Sequence, residues 1–97
     1  MHARVLTATV QPGRLEELVR AVHEAVLTTI KQRQGFKHSF VLTDPSTNKV
    51  MAISLWGTQA DLEANVAAGR VPRHQAEAAN ALTAPYVEEF YEVSFQE

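Results

Sequence analysis

The apolar run Val50–Trp56, VMAISLW, constrains this chain more than any other stretch, because its surroundings define it at both ends. Before it stands Asp44-Pro45-Ser46-Thr47-Asn48, in which proline fixes φ and the Asp and Asn side chains bond their own backbone. Ahead of that turn lies a second alternating segment, 36–43, and so short a connection joins two strands only as an antiparallel hairpin. After Trp56 the chain passes through Gly57 into Thr58-Gln59-Ala60-Asp61, a helix N-cap with an acid three residues on, and a helix follows over about residues 59–68. Trp56, the only tryptophan, sits where strand end meets helix start. A functional cleft is expected there.

The remaining segments fall into place around this unit. Residues 3–10 alternate, with Leu6, Ala8 and Val10 on one row and Val5, Thr7 and Thr9 on the other, and read as a strand. Gln11-Pro12-Gly13 ends it. Leu15, Leu18, Val19, Val22, Val26 and Ile30 then recur at helical spacing opposite Glu16, Glu17, Arg20, Glu24 and Lys31, which predicts an amphipathic helix closed near Lys31 and Arg33, with Gly35 as its cap. In 36–43, Phe36, His38, Phe40 and Leu42 share a row, and the hairpin register leaves open whether His38 faces Trp56's side or Leu55's. Gly69 stops the second helix, Pro72 starts another helical segment to about Thr83, and a last strand follows over 86–95. The order β-α-β-β-α-β predicts an α+β, ferredoxin-like fold: a four-stranded antiparallel sheet with helices on one face.

Ninety-seven residues allow one domain, 1–97, with a single core. A formal charge of −2 with scattered Lys and Arg argues against nucleic acid as a partner. The absence of cysteine removes disulfides and thiolate chemistry, no signal-like or membrane-spanning apolar run is present, and a cytoplasmic location is expected without a membrane partner. The histidines are dispersed, and neither a phosphate loop nor a dinucleotide fingerprint occurs, so no metal or other cofactor is expected. Every strand carries apolar residues on both rows. The sheet face without helices therefore has to be covered, and a two-fold homodimer packed sheet against sheet is expected.

The order VLTATVQPGRLEELVRAV, then GFKHSFVLTDPSTNKVMAISLW, then the helix after Trp56 resembles the antibiotic-biosynthesis monooxygenase-like domains of the dimeric α+β barrel superfamily over essentially the whole chain. That resemblance implies a pocket between sheet and helices, and cofactor-free oxygenation of an electron-rich phenol or quinol among the activities. The chain departs from many such proteins at two positions, with Ser54 in place of an acid and Asn65 in place of a histidine. Haem-degrading members, also similar, use a helix tryptophan that aligns with Asn65 here, which disfavours haem degradation.

Candidate site residues follow, each with a plainer alternative. Trp56 either walls an aromatic-binding cleft, its indole N–H aimed at a ligand oxygen, or fills the core. His74 and His38 are candidate proton acceptors or satisfied structural histidines. Asn65 either orients a bound carbonyl or sits on the helix surface. Phe40 and Tyr91 are candidate substrate contacts, whereas Glu88, Glu89 and Glu92 read as a solvated strand edge. The leading function is a cofactor-independent monooxygenase acting on a small aromatic molecule. The alternative is a non-catalytic dimeric module that binds a hydrophobic ligand or serves as a stress-related accessory protein.

Overall fold

A computed structural model describes residues 1–68 and 81–97. The elements are β1 (His2–Thr9), α1 (Leu15–Thr28), a 3-10 turn (Ile30–Gln32), β2 (Phe36–Asp44), β3 (Lys49–Trp56), α2 (Gln59–Ala68) and β4 (Val87–Glu92). The strands form one antiparallel sheet in the order β2-β3-β1-β4. This is the ferredoxin-like arrangement the patterning predicts. The helical segment expected from Pro72 falls largely within residues 69–80, outside the described residues, and so does His74. By Leu82 the chain is already bridged to Val10, so that segment ends before Thr83.

Alternation sorts each strand between two environments. Ala8, Val50 and Val41 point toward α1 and pack with Val10, Leu18, Val22 and Ala81 into the core, where burying each large aliphatic side chain contributes about 1.5–3 kcal/mol. The opposite rows, with Val5, Ile53, Phe40, Leu42, Val87 and Tyr91, form a sheet face on which Phe40, Leu42, Val87 and Tyr91 are all exposed.

Four local readings are corrected. The first helix stops at Thr28, not near Arg33: Thr28 Oγ1 bonds back to the Glu24 carbonyl at 2.8 Å, and Thr29, at φ −137°, leaves the helical region. Gly35 is consequently no cap of α1. It takes a left-handed φ of +83° between the 3-10 turn and β2, and its carbonyl accepts the Gly57 N–H at 2.8 Å. In β2, a bulge between Phe36 and His38 inserts Lys37 as an extra residue, so Phe36 pairs with Trp56 while His38 pairs with Leu55. The two aromatic rings of the predicted row thus lie on opposite faces. The last strand ends at Glu92 rather than Phe95 because its partner β1 starts at His2, opposite Glu92, and only Val93 N–H reaches the Met1 carbonyl beyond it.

The hairpin turn and the α2 start behave as their residues dictate. Asp44 accepts from the Ser46 hydroxyl at 2.6 Å and the Ser46 N–H at 3.1 Å, and these bonds, with Thr47's, hold its carboxyl below the usual range. Thr58 Oγ1 accepts the Asp61 N–H at 3.1 Å, capping α2. Among the described residues no helix is long and apolar enough to cross a membrane.

Gly35 and Gly13 share φ +83°, but only at Gly35 would a Cβ meet a neighbour, colliding with Asp61 at its carboxylate and at its Cβ. Because the root of that side chain is involved, a rotamer change does not relieve the clash. Gly13→Ala is expected to cost about 1–2 kcal/mol from backbone strain alone, and Gly35→Ala about 1–2 kcal/mol more. Urea midpoints check this. Equal midpoints would show that Asp61 leaves room for a methyl group.

Candidate functional site

The helix-facing rows carry a line of polar groups across three strands. Ser54 on β3 lies opposite Arg4 on β1, and Arg4 reaches diagonally to Glu88 on β4. Arg4 Nε donates to Glu88 Oε2 at 2.9 Å and Nη2 donates to the same oxygen, with side-chain exposures of 14% and 26%. Glu88 is therefore no part of a solvated edge, although Glu89 and Glu92 are exposed. A charge pair this shielded is screened less than a surface pair, and removing either partner would leave the other charge poorly solvated.

Trp56 is completely buried. Its ring meets Phe36 edge-on at 5.6 Å and 80°, and its indole N–H donates to Ser54 Oγ at 3.0 Å. The structure therefore places Trp56 in the core, with its N–H engaged by a neighbouring side chain. Ser54 has a structural reason to be a hydroxyl: it accepts that bond.

Asn65 is 3% exposed on the inner side of α2, the only buried polar residue among those described, and not a surface amide. Arg33 Nη1 donates to its Oδ1 at 2.6 Å and more weakly to its carbonyl at 3.4 Å. A guanidinium has only donors, so this contact fixes which end of the amide faces Arg33. The Nδ2 end points elsewhere, and no described residue accepts from it. A buried N–H left without an acceptor costs about 1–3 kcal/mol, and such a group calls for an explanation.

Between α1 and the sheet lies an apolar cavity of about 70 Å³, walled by Leu18 and Val22 above and by Leu6, Val50 and Ala52 below, with Tyr86 and Leu82 at its side. It is far smaller than the roughly 300 Å³ of ordinary small-molecule pockets. Among the described residues no three His, Asp or Glu side chains converge as a metal set would require.

The remaining candidates lie elsewhere. His38 is exposed on the open sheet face, its ring 6.3 Å from that of Phe40. Phe40 and Tyr91 occupy the same face, away from α1. Tyr91 donates its hydroxyl proton to Glu89 at 2.8 Å, and that bond to a carboxylate raises its pKa. The structure brings Trp56 and Ser54 together, buries Asn65 against Arg33, and separates both from His38, Phe40 and Tyr91. Sequence reasoning missed Arg4 and Arg33. Arg4 had a visible signal, a charge interrupting the row Leu6, Ala8, Val10; Arg33 had none, because its role depends on the early end of α1.

Ser54→Ala strips the buried indole N–H of its acceptor and is expected to cost about 1–3 kcal/mol in urea denaturation, whereas Ser54→Thr retains most of the stability. A loss no larger than that of an exposed Ser→Ala control would show that the indole finds another partner.

No family profile matches the sequence, and no curated protein matches it significantly. Solved structures do match. SnoaB, described as a cofactor-independent oxygenase from Streptomyces nogalater, superposes with a TM-score of 0.80 at 16% identity, covering 98% of this chain and 94% of that one. A protein described as an antibiotic biosynthesis monooxygenase gives 0.75 at 14% identity, covering 96% and 98%. A Nitrosomonas europaea protein of unknown function gives 0.79 at 18% identity, covering 99% and 91%. At these identities the likeness concerns backbone architecture. Over nearly its whole length, the chain has the fold of the antibiotic biosynthesis monooxygenase domains.

Proposed function

We propose that this protein is a cofactor-independent monooxygenase that oxidises a small aromatic phenol or quinol between its sheet and its helices. The observation that carries the reading is Asn65, a buried amide aimed by Arg33 and left with an N–H2 group that no described residue accepts. A ligand oxygen would supply the missing acceptor. Bonding of that kind favours the phenolate over the phenol, and ionised, electron-rich aromatics react with oxygen without a cofactor. In the overall change one oxygen atom becomes a new carbonyl on the substrate. The other leaves as water with two hydrogens of the substrate, one from the oxidised ring carbon and one from the phenolic hydroxyl.

Each residue has a separate task in this scheme. Asn65 orients and stabilises the anionic oxygen, a preorganised donor in a dry site. Arg33 keeps Asn65 in the required rotamer, and the Arg4–Glu88 pair forms a neutralised sheet floor. Trp56 supplies the rigid wall behind Ser54. His74, on the segment after α2, is the candidate acceptor of the substrate proton. The cavity of about 70 Å³ under α1 is not lined by Asn65 and is too small for an aromatic ring, so the reading requires the helical layer to yield beside α2. The likeness to a structure described as a cofactor-independent oxygenase supports the same reading at the level of fold.

Oxygen uptake by metal-stripped protein with anthrone-like phenols and quinols tests this. Saturable uptake is expected, with kcat reduced about 100-fold in Asn65→Ala and reduced likewise in His74→Ala, while far-UV circular dichroism stays unchanged. No uptake across the panel, or an Asn65→Ala variant with full turnover, overturns the assignment.

The open sheet face is proposed as the contact between two copies of the chain. Phe40, Leu42, Val87 and Tyr91 stand on it between 49% and 58% exposed, a concentration of apolar surface that water disfavours. A two-fold axis would bring His38 and Phe40 against the partner's sheet, giving that exposed row a structural role. Light scattering is expected to give twice the 10.7 kDa chain mass, falling to one chain mass in Leu42→Glu. A wild-type mass of 10.7 kDa at micromolar concentration would exclude the dimer.

A further inference from the structure

A second concavity lies on the other flank of α1, where the helix overhangs the edge strand β2. It is a trough of about 460 Å³, within the range of small-molecule sites and well above the internal cavity. One wall is the α1 stripe Val19, Val26 and Leu27, and the other is Phe36 and Val41 of β2. From Val19 to Leu27 the helix rises about 12 Å. Val19 and Val41 also line a further groove of about 510 Å³ running toward Leu15 and Pro45, where Glu16, Arg20 and Thr43 make the lining polar, so the apolar part of the path ends near Val19. A helix stripe of this length matches an extended alkyl chain of about ten carbons.

The charge on this trough is one-sided. Lys31 and Lys37 flank the end where the 3-10 turn meets β2, His23 lies alongside, and no carboxylate is among its lining residues. Both lysines are exposed, and neither takes part in an ion pair among the described residues. Lys37 is the extra residue of the β2 bulge. An apolar channel with two unpaired ammonium groups at one end fits a linear molecule with an anionic head.

We propose that the α1–β2 trough binds a linear alkyl carboxylate, its chain along Val26 and Val19 and its head between Lys31 and Lys37. The site is distinct from the internal cavity, with which it shares only Val22 among the lining residues.

Isothermal titration of the full chain with decanoate tests this, with hexanoate, decylamine and a Lys31→Glu/Lys37→Glu variant as comparisons. Since both lysines are exposed, charge reversal leaves the fold intact, which circular dichroism verifies. Decanoate is expected to bind at least tenfold more tightly than hexanoate, because the four added methylenes are buried. It is also expected to bind at least tenfold more tightly than decylamine, and to lose about tenfold on the reversed variant. The proposal is overturned by the absence of decanoate binding at millimolar concentration, by equal binding of decanoate and decylamine, or by affinity that survives reversal.

Discussion

The helix-facing side of this protein is arranged around a tryptophan that has no contact with water. Burying Trp56 requires that its indole N–H find an acceptor and that its ring find a partner across the strand pair. Ser54, two residues earlier on the same face, supplies the first, and Phe36 supplies the second. Phe36 can do so only because β2 contains an extra residue at Lys37, which turns Phe36 toward the helices and His38 away from them. One irregularity in one strand thereby divides the aromatic and imidazole groups of β2 between the two faces of the sheet.

The same arrangement gives the polar residues of the inner face their meaning. Arg4, opposite Ser54, cannot remain alone beneath the helical layer and is matched by Glu88 from the neighbouring edge strand. On the helical side Arg33 performs a comparable task for Asn65, occupying its carbonyl oxygen and leaving its amide N–H2 without an acceptor among the described residues. A sheet floor with a neutralised charge pair and a helix whose buried amide N–H2 meets no acceptor among the described residues differ chemically. The first is complete in itself.

Two different surfaces flank α1. On its inner side the packing is tight, with the small apolar cavity and the cluster of Val10, Leu18, Val50 and Ala81. On its outer side the helix overhangs β2 without filling the angle between them, and the valine stripe that serves the core on one flank is left partly open on the other. A helix with an apolar stripe wider than the surface it covers produces this pair of environments. Lys31 and Lys37 gather at one end because the early end of α1 brings the 3-10 turn next to the β2 bulge.

The sequence by itself determined the element order and the antiparallel hairpin. It also determined the α2 cap at Thr58 and the sharing of apolar residues between both faces of the sheet, since all of these follow from local periodicity and turn chemistry. Strand rows on β1, β3 and β4 were legible for the same reason: alternation holds wherever the ladder is regular. Only the tertiary structure decided the rest. A bulge is a property of two paired strands, so the side on which His38 falls was not written in β2 alone. Helix α1 stops early because the Thr28 hydroxyl competes for a backbone carbonyl, which shifts Arg33 out of the helix and onto Asn65. The pairing of Arg4 with Glu88 joins residues 84 positions apart. Contacts of that range depend on the strand order of the closed sheet, and no local pattern carries that information.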